Sequence, residues 1–295
     1  MKGDENLWRI LCDKLEMLQA GGRLGEALRL GQTALSVARR AFQENHPSLA
    51  ETYERLAQVY DQQRQMAKAR SCLRKAFDIA ERAEPLDHQL IYRLGRRLAL
   101  LSDGREADAE ALAFLNRAIA AAETLGTVPP SDLGAMLNRV ALIHSRNGRG
   151  DAAERHYLRA LELYDRAPGP DPAEKGAILN NLGVFYTRQG RLEEAERVHQ
   201  RALAIRQNAR PPGHAEVAQS ACNLAAVYHS RGDFEHAGQL YQESLRSWEE
   251  IEQPSSDYVI AASNYADLLR SLGKNRKAAT IESRARKRCA AAAGT

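Results

Sequence analysis

The chain has 295 residues, a formal net charge of +4, and a composition that is 44% apolar and 27% charged. A charge balance this close to neutral argues against a histone-like nucleic-acid binder. The longest apolar run is far shorter than the roughly 18 residues that a membrane helix requires, and the first residues lack the apolar core of a signal peptide. We therefore expect a cytoplasmic protein whose partner is neither nucleic acid nor membrane.

Signatures of enzymes and metal sites are missing from the sequence. None of the patterns GxxxxGK[ST], GxGxxG, HExxH or GxSxG occurs, and no two of the four cysteines form a CxxC pair. We therefore expect a protein that is not an enzyme, with no catalytic residues, no metal site and no cofactor.

Small residues recur every 42 positions from one end of the chain to the other, with the last step one residue shorter. Three such columns keep register over seven steps. The first column is Leu15, Ala57, Ala99, Ala141, Gly183, Ala225 and Ala266; the second is Ala27, Ala69, Ala111, Ala153, Ala195, Ala237 and Ala278; the third is Ala34, Ala76, Ala118, Ala160, Ala202, Ser244 and Ala285. Small side chains allow two helices to approach closely, so the columns predict helical hairpins stacked in sequence order.

Seven hairpins follow in chain order, and all ten prolines fall near the seams between them, where no helix is interrupted. We predict a single solenoid over residues 1–291 and a disordered tail over 292–295. The predicted repeats are 5–45, 46–87, 88–129, 130–171, 172–213, 214–255 and 256–291. The turn inside a repeat carries Gly22, Gly148, Gly190, Gly232 or Gly273, whereas the second and third repeats carry Arg64 and Glu106 there.

The pattern is clearest between residues 180 and 248, where it resembles the tetratricopeptide repeat (TPR). Leu182-Gly183-Val184-Phe185-Tyr186 is followed 42 residues later by Leu224-Ala225-Ala226-Val227-Tyr228. The resemblance implies an all-α, right-handed superhelical solenoid with a concave groove. Such solenoids usually bind other molecules rather than transform them.

The C-terminal cluster Arg284–Arg288 has two interpretations. It is either a solvated helix end, with cations near the negative pole of the helix, or a surface that contacts an anionic partner.

One column is not explained by packing. It lies two residues before the first small column and reads Asp13, Arg55, Arg97, Arg139, Asn181, Asn223 and Asn264. In a TPR hairpin this position faces the groove. Asn offers both a donor and an acceptor to a peptide backbone, and Arg offers a planar fork to carboxylates. We therefore predict a groove that binds a protein segment, with its acidic part opposite Arg55, Arg93, Arg97 and Arg139 and its backbone opposite Asn181, Asn223 and Asn264.

Residues 178–186, 190–196 and 201–205 resemble the kinesin light chain type of TPR, as does the 42-residue period. In that family the Asn at the place of Asn181, Asn223 and Asn264 lines a cargo-peptide groove. The chain is also similar to the bacterial kinesin-light-chain-like proteins, some of which accompany bacterial tubulins and bind along their filaments. The resemblance implies a cytoskeletal accessory protein that binds a tubulin-like filament. The alternative is a peptide-binding adaptor or signal receptor that recognises an acidic extended segment.

Overall fold

The computed structural model describes residues 2–102, 104–166, 171–211, 213–252 and 255–293. Within these ranges the chain forms fourteen α-helices and one 3-10 turn, and it contains no strand. This confirms the predicted all-α class. The helices are α1 (Lys2–Ala20), α2 (Leu24–Ala41), α3 (Pro47–Gln62), α4 (Met66–Arg82), α5 (His88–Leu101), α6 (Asp108–Leu125), α7 (Pro130–Arg146), α8 (Gly150–Arg166), α9 (Pro172–Arg188), α10 (Leu192–Ala209), α11 (Ala215–Ser230), α12 (Phe234–Glu250), α13 (Ser256–Ser271) and α14 (Asn275–Ala293).

Contacts divide the chain into two compact units, Met1–Arg146 and Asn147–Thr295. In the first unit α1 packs on α2, α3 on α4, and α5 on α6, and each second helix also packs on the first helix of the next hairpin. In the second unit α9, α11 and α13 pair with α10, α12 and α14 in the same way. That one continuous solenoid spans residues 1–291 stays a prediction. Helix α14 extends through Ala293, and the last two residues of the predicted disordered tail lie outside the described residues.

The three columns of small residues form the centre of the packing. Every member of the second column is at most 1% exposed, and every member of the other two columns is buried. Leu15 begins the first column; at the alanine, glycine and serine positions that make up the rest of the three columns, a larger side chain would push two helices apart, which is why the period is so regular.

The seams are regular because they supply helix N-caps. Nδ1 of His46 accepts a hydrogen bond from the backbone N–H of Ser48, and Nδ1 of His214 accepts one from that of Glu216, each over 3.2 Å. Asp171 caps α9 in the same way, accepting from the N–H of Ala173 over 2.9 Å. Each cap satisfies a backbone donor that the first turn of a helix leaves without a partner.

The turn inside the repeat requires a left-handed backbone. Gly22, Gly190 and Gly232 have φ of 70°, 74° and 82°, a region that glycine enters without steric cost. In the second repeat Arg64 takes the same conformation with φ of 58°. The third repeat is irregular: α5 ends at Leu101, Gly104 has φ of 92°, and a 3-10 turn over Arg105–Ala107 precedes α6.

Candidate partner-binding face

The residues of the unexplained column lie on the first helix of each hairpin, so we call them the first-helix column. From Arg55 to Asn264 all six members are half-buried, and Asp13 is exposed. Arg93, four residues before Arg97 on α5, is exposed. Arg55, Arg93, Arg97 and Arg139 belong to the first unit and Asn181, Asn223 and Asn264 to the second, so each set is described within its own unit.

Two of the predicted arginines are brought together by a buried carboxylate. Arg93 donates from Nε and Nη2 to the two carboxylate oxygens of Glu54, over 2.9 and 2.7 Å. Nη1 of Arg97 lies 3.6 Å from Glu54 Oε1. The Glu54 side chain is only 6% exposed, and its hydrogen bonds raise the pKa of Arg93. Two guanidiniums therefore share one carboxylate, which leaves this cluster with a net charge of about +1.

The other two arginines differ from each other in their partners. Arg55 forms an ion pair with Glu16 on α1. Arg139 donates from Nη2 to the backbone carbonyl of Ser102 over 3.1 Å, and its Nε is buried without a hydrogen-bond partner. Within the described ranges Arg139 forms no ion pair. Its charge is therefore the least compensated of the four.

The asparagines connect successive first helices. Asn223 donates from Nδ2 to Oδ1 of Asn180 over 2.9 Å, and Asn264 donates from Nδ2 to Sγ of Cys222 over 3.6 Å. In each bond the accepting residue belongs to the preceding repeat and lies one residue before that repeat's member of the column. Glu54 is related to Arg97 in the same way. The Oδ1 atoms of Asn223 and Asn264 have no hydrogen-bond partner in the part of the chain that the structure describes. Asparagine therefore has a structural role at this position and still offers an acceptor to a ligand.

The structure adds apolar residues that the prediction did not include. Leu100 and Leu142 are 59% and 37% exposed, and each follows an arginine of the column by three residues. Ile260 is 56% exposed and precedes Asn264 by four. Residues three or four apart share one face of a helix, so the first-helix face combines charge with apolar surface in the first unit, and amide with apolar surface in the second. The sequence indicates this apolar surface by Leu100 and Leu142, which stand where the first two repeats carry Glu16 and Gln58.

The described residues contain no group of three His, Cys, Asp or Glu side chains arranged to hold a metal ion. His199 is fully buried and packs against α9, and burial lowers its pKa to about 4. A search of the described helices for a membrane-spanning segment finds none that is both long enough and apolar enough.

Comparison with known proteins identifies the repeat. The family model described as tetratricopeptide repeat matches residues 16–82, 132–208, 174–250 and 216–291. Among solved structures, BtubC (BKLC) from P. vanneervenii is 28% identical, with a TM-score of 0.59 over 76% of this chain and 90% of that chain. This similarity confirms the predicted likeness to a bacterial kinesin-light-chain-like protein.

Two further structures share the fold at lower identity. The STAND protein with a tetratricopeptide repeat sensor from Pyrococcus horikoshii is 16% identical, with a TM-score of 0.68 over 97% of this chain and 42% of that chain. The quorum sensor NprR from B. thuringiensis is 12% identical, with a TM-score of 0.55 over 95% of this chain and 86% of that chain. A search of the curated proteins gave no significant match.

Proposed function

Because this chain belongs to the tetratricopeptide repeat family, whose members bind other proteins or peptides, we propose that it is a non-enzymatic scaffold that binds a protein partner in the cytoplasm. The binding surface in this proposal is the first-helix face: Arg55, Arg93, Arg97 and Arg139 in the first unit, and Asn181, Asn223 and Asn264 in the second.

The partner that we propose is a tubulin-like cytoskeletal filament. The similarity to BtubC carries this proposal, because it extends over three quarters of this chain and nine tenths of that one. The charge of the first unit's face supports it. Arg139 has no compensating carboxylate among the described residues, and Arg93 and Arg97 share only one. An acidic filament surface would supply the negative charges that these arginines lack within the chain.

Co-sedimentation with a polymerised bacterial tubulin tests the proposal. The full chain is expected to pellet with the polymer and to be released as salt concentration rises. The double variant Arg97→Glu/Arg139→Glu should reduce the bound fraction on the order of tenfold or more.

The matched control is Arg29→Glu/Arg201→Glu, which makes the same change in net charge at exposed positions on α2 and α10. The control should pellet like the unmodified chain. Absence of pelleting by the unmodified chain would exclude the filament, and equal losses in both variants would exclude the first-helix face.

A specific observation favours a second candidate, a peptide-binding adaptor or signal receptor. Leu100, Leu142 and Ile260 are exposed next to the first-helix column, and an extended acidic peptide with apolar anchors would use both kinds of surface. Selection from a library of short peptides would return acidic segments with regularly spaced apolar residues if this candidate holds. A collection of selected sequences without shared charge would count against it.

A further inference from the structure

Three cavities occupy the same place in three different repeats. Each is enclosed by the second helix of one hairpin, the seam that follows it, and both helices of the next hairpin. The first lies between α2 and α4, the second between α4 and α6, and the third between α10 and α12, with volumes of about 420, 350 and 460 Å³. The linings correspond at offsets of 42 and 168 residues: Leu49, Ile91 and Val217 occupy one position, and Lys75, Arg117 and Glu243 another. We call these cavities the first, second and third seam pockets.

The second and third seam pockets contain their own counter-charges. In the second, Arg117 Nε lies 3.2 Å from Glu81 Oε1. In the third, Arg210 and Arg246 line the cavity together with Glu243 and Glu250, and Arg210 pairs with Glu216 over 3.1 Å. A ligand with a negative charge would gain little in either pocket, because it would compete with carboxylates already present.

The first seam pocket differs because its cations are not paired. Arg39, Lys75 and Arg82 line it, and none of them forms an ion pair among the described residues. Glu44 and Asp78 also line the cavity without forming an ion pair in those ranges, so its formal net charge is +1. Two arginines and a lysine thus line a space of ligand size without ion pairs, and with the two carboxylates beside them they leave an excess of one positive charge.

A tyrosine contacts two of these cations. Tyr53 is 6% exposed, and its hydroxyl oxygen accepts a hydrogen bond from Arg39 Nη2 over 2.6 Å. The guanidinium carbon of Arg39 and Nζ of Lys75 lie 5.9 and 5.7 Å from the centre of the same ring. The corresponding residues in the second and third seam pockets are Gly95 and Ala221. Because both cations lie beside one ring, an anion near that ring would be attracted by each of them.

The inner wall of the first seam pocket is apolar. Leu49 is 6% exposed there, and Phe42 and Ile79 complete the apolar part of the lining. The Phe42 ring is fixed by a stacked contact with His46 at 4.4 Å between centroids and an edge contact with Trp8 at 5.1 Å. We propose that the first seam pocket binds an oxyanion, carboxylate or phosphate, that is attached to an apolar group. Arg39 and Lys75 contact the anion, the Tyr53 hydroxyl donates a hydrogen bond to it, and the apolar group lies against Leu49 and Phe42.

Three small probes test this site on the full chain: phenyl phosphate, phenylacetate and the neutral phenylacetamide. Titrations followed by amide chemical shifts are expected to show that at least one anionic probe binds near Tyr53, more weakly as salt concentration rises, whereas the neutral probe does not bind. Binding of phenyl phosphate alone would indicate a phosphorylated ligand, and binding of phenylacetate alone a carboxylate ligand. Failure of both anions to bind, or equal binding of all three probes, would overturn the proposal.

Variants then locate the site. Arg39→Gln/Lys75→Gln should weaken binding of the anionic probe on the order of tenfold or more, and Asp78→Asn should strengthen it by about twofold to fivefold because it removes a competing carboxylate. Arg117→Gln, at the position of Lys75 in the second seam pocket, is the matched control and should leave the affinity unchanged. Equal losses in Arg117→Gln and the double variant would overturn the proposal, as would an unchanged affinity in the double variant. Arg97→Glu/Arg139→Glu should leave probe binding intact, which separates this site from the first-helix face.

Discussion

The imidazole of His199 on α10 occupies the space beside Gly183 on α9 where any other residue would place its β-carbon. An added Cβ on Gly183 would lie 2.6 Å from both Cε1 and Nε2 of the ring. The ring is fully buried, so it has no free space into which to move. Other repeats pair an alanine with a different side chain sixteen residues later, Ala57 with Leu73 and Ala225 with Tyr241. Gly183 and His199 are thus adapted to each other.

Gly183→Ala is expected to destabilise the protein by about 1 to 3 kcal/mol, because the new methyl group overpacks a closed interface. His199→Leu introduced together with it recreates the pairing of the second repeat, and the double variant should be more stable than Gly183→Ala alone. Urea unfolding of the two single variants and the double variant measures this coupling. Strictly additive changes in the free energy of unfolding would show that the two positions are independent.

The same histidine makes stability depend on pH. Burial lowers the pKa of His199 from 6.5 to about 4, so between these values the unfolded chain binds a proton that the folded chain does not. The free energy of unfolding is therefore expected to be unaffected by this group above about pH 6.5 and to fall as pH decreases towards 4, by roughly 3 kcal/mol at most. Below the folded-state pKa the loss is complete. Urea unfolding across this range should show a shallower decline for His199→Leu, and identical slopes for the two proteins would contradict the assignment.

In the proposed binding surface, Glu54 couples stability to partner binding. Glu54→Gln is expected to lower the free energy of unfolding by about 2 kcal/mol, because the carboxylate is buried and shared by Arg93 and Arg97. The same change releases both guanidiniums, so binding of an acidic partner should become tighter and more dependent on salt concentration. Glu16→Gln, whose side chain is 59% exposed, is the comparison and should cost about 0.5 kcal/mol or less. Unchanged partner binding by Glu54→Gln would show that Arg93 and Arg97 serve the fold alone.

Arg64 occupies a backbone conformation in which the corresponding residues of five other repeats are glycine. Its φ of 58° costs a side-chain-bearing residue about 1 kcal/mol. Arg64→Gly is therefore expected to stabilise the protein by about that amount, less the entropy that glycine adds to the unfolded chain. Arg64→Ala, which keeps a β-carbon, should give no such gain. A lower midpoint of urea unfolding for Arg64→Gly than for the unmodified chain would contradict this explanation.

The helices were predictable because close approach between them restricts certain positions to small residues. A column that holds alanine in all seven steps, such as the one from Ala27 to Ala278, therefore fixes the register of every hairpin. The irregular turn near Gly104 was also visible in the sequence, because Glu106 stands where five other repeats carry glycine. The partners of side chains were harder to predict. Glu54 lies one residue before the column that we predicted, and only the distance between α3 and α5 shows that it shares its carboxylate with Arg93 and Arg97.

Side chains that depart from their column were not predictable either. Arg206 is 3% exposed at a position where earlier repeats carry Ala38, Ala80 and Ala122. Its guanidinium is accommodated because Nη1 donates to the Ser220 hydroxyl and to the Glu216 carbonyl, over 2.8 and 3.0 Å. The seam pockets were not predictable for a related reason. Each is bordered by three helices, whereas a local sequence pattern describes one helix at a time.

The bonds from Asn223 to Asn180 and from Asn264 to Cys222 leave each carboxamide with hydrogen-bonding capacity of both kinds. Each side chain has given one N–H to the helix before it, and in the described part of the chain it keeps its second N–H and its oxygen. A guest strand laid along this surface would therefore meet a donor and an acceptor at each side chain without breaking the internal bonds.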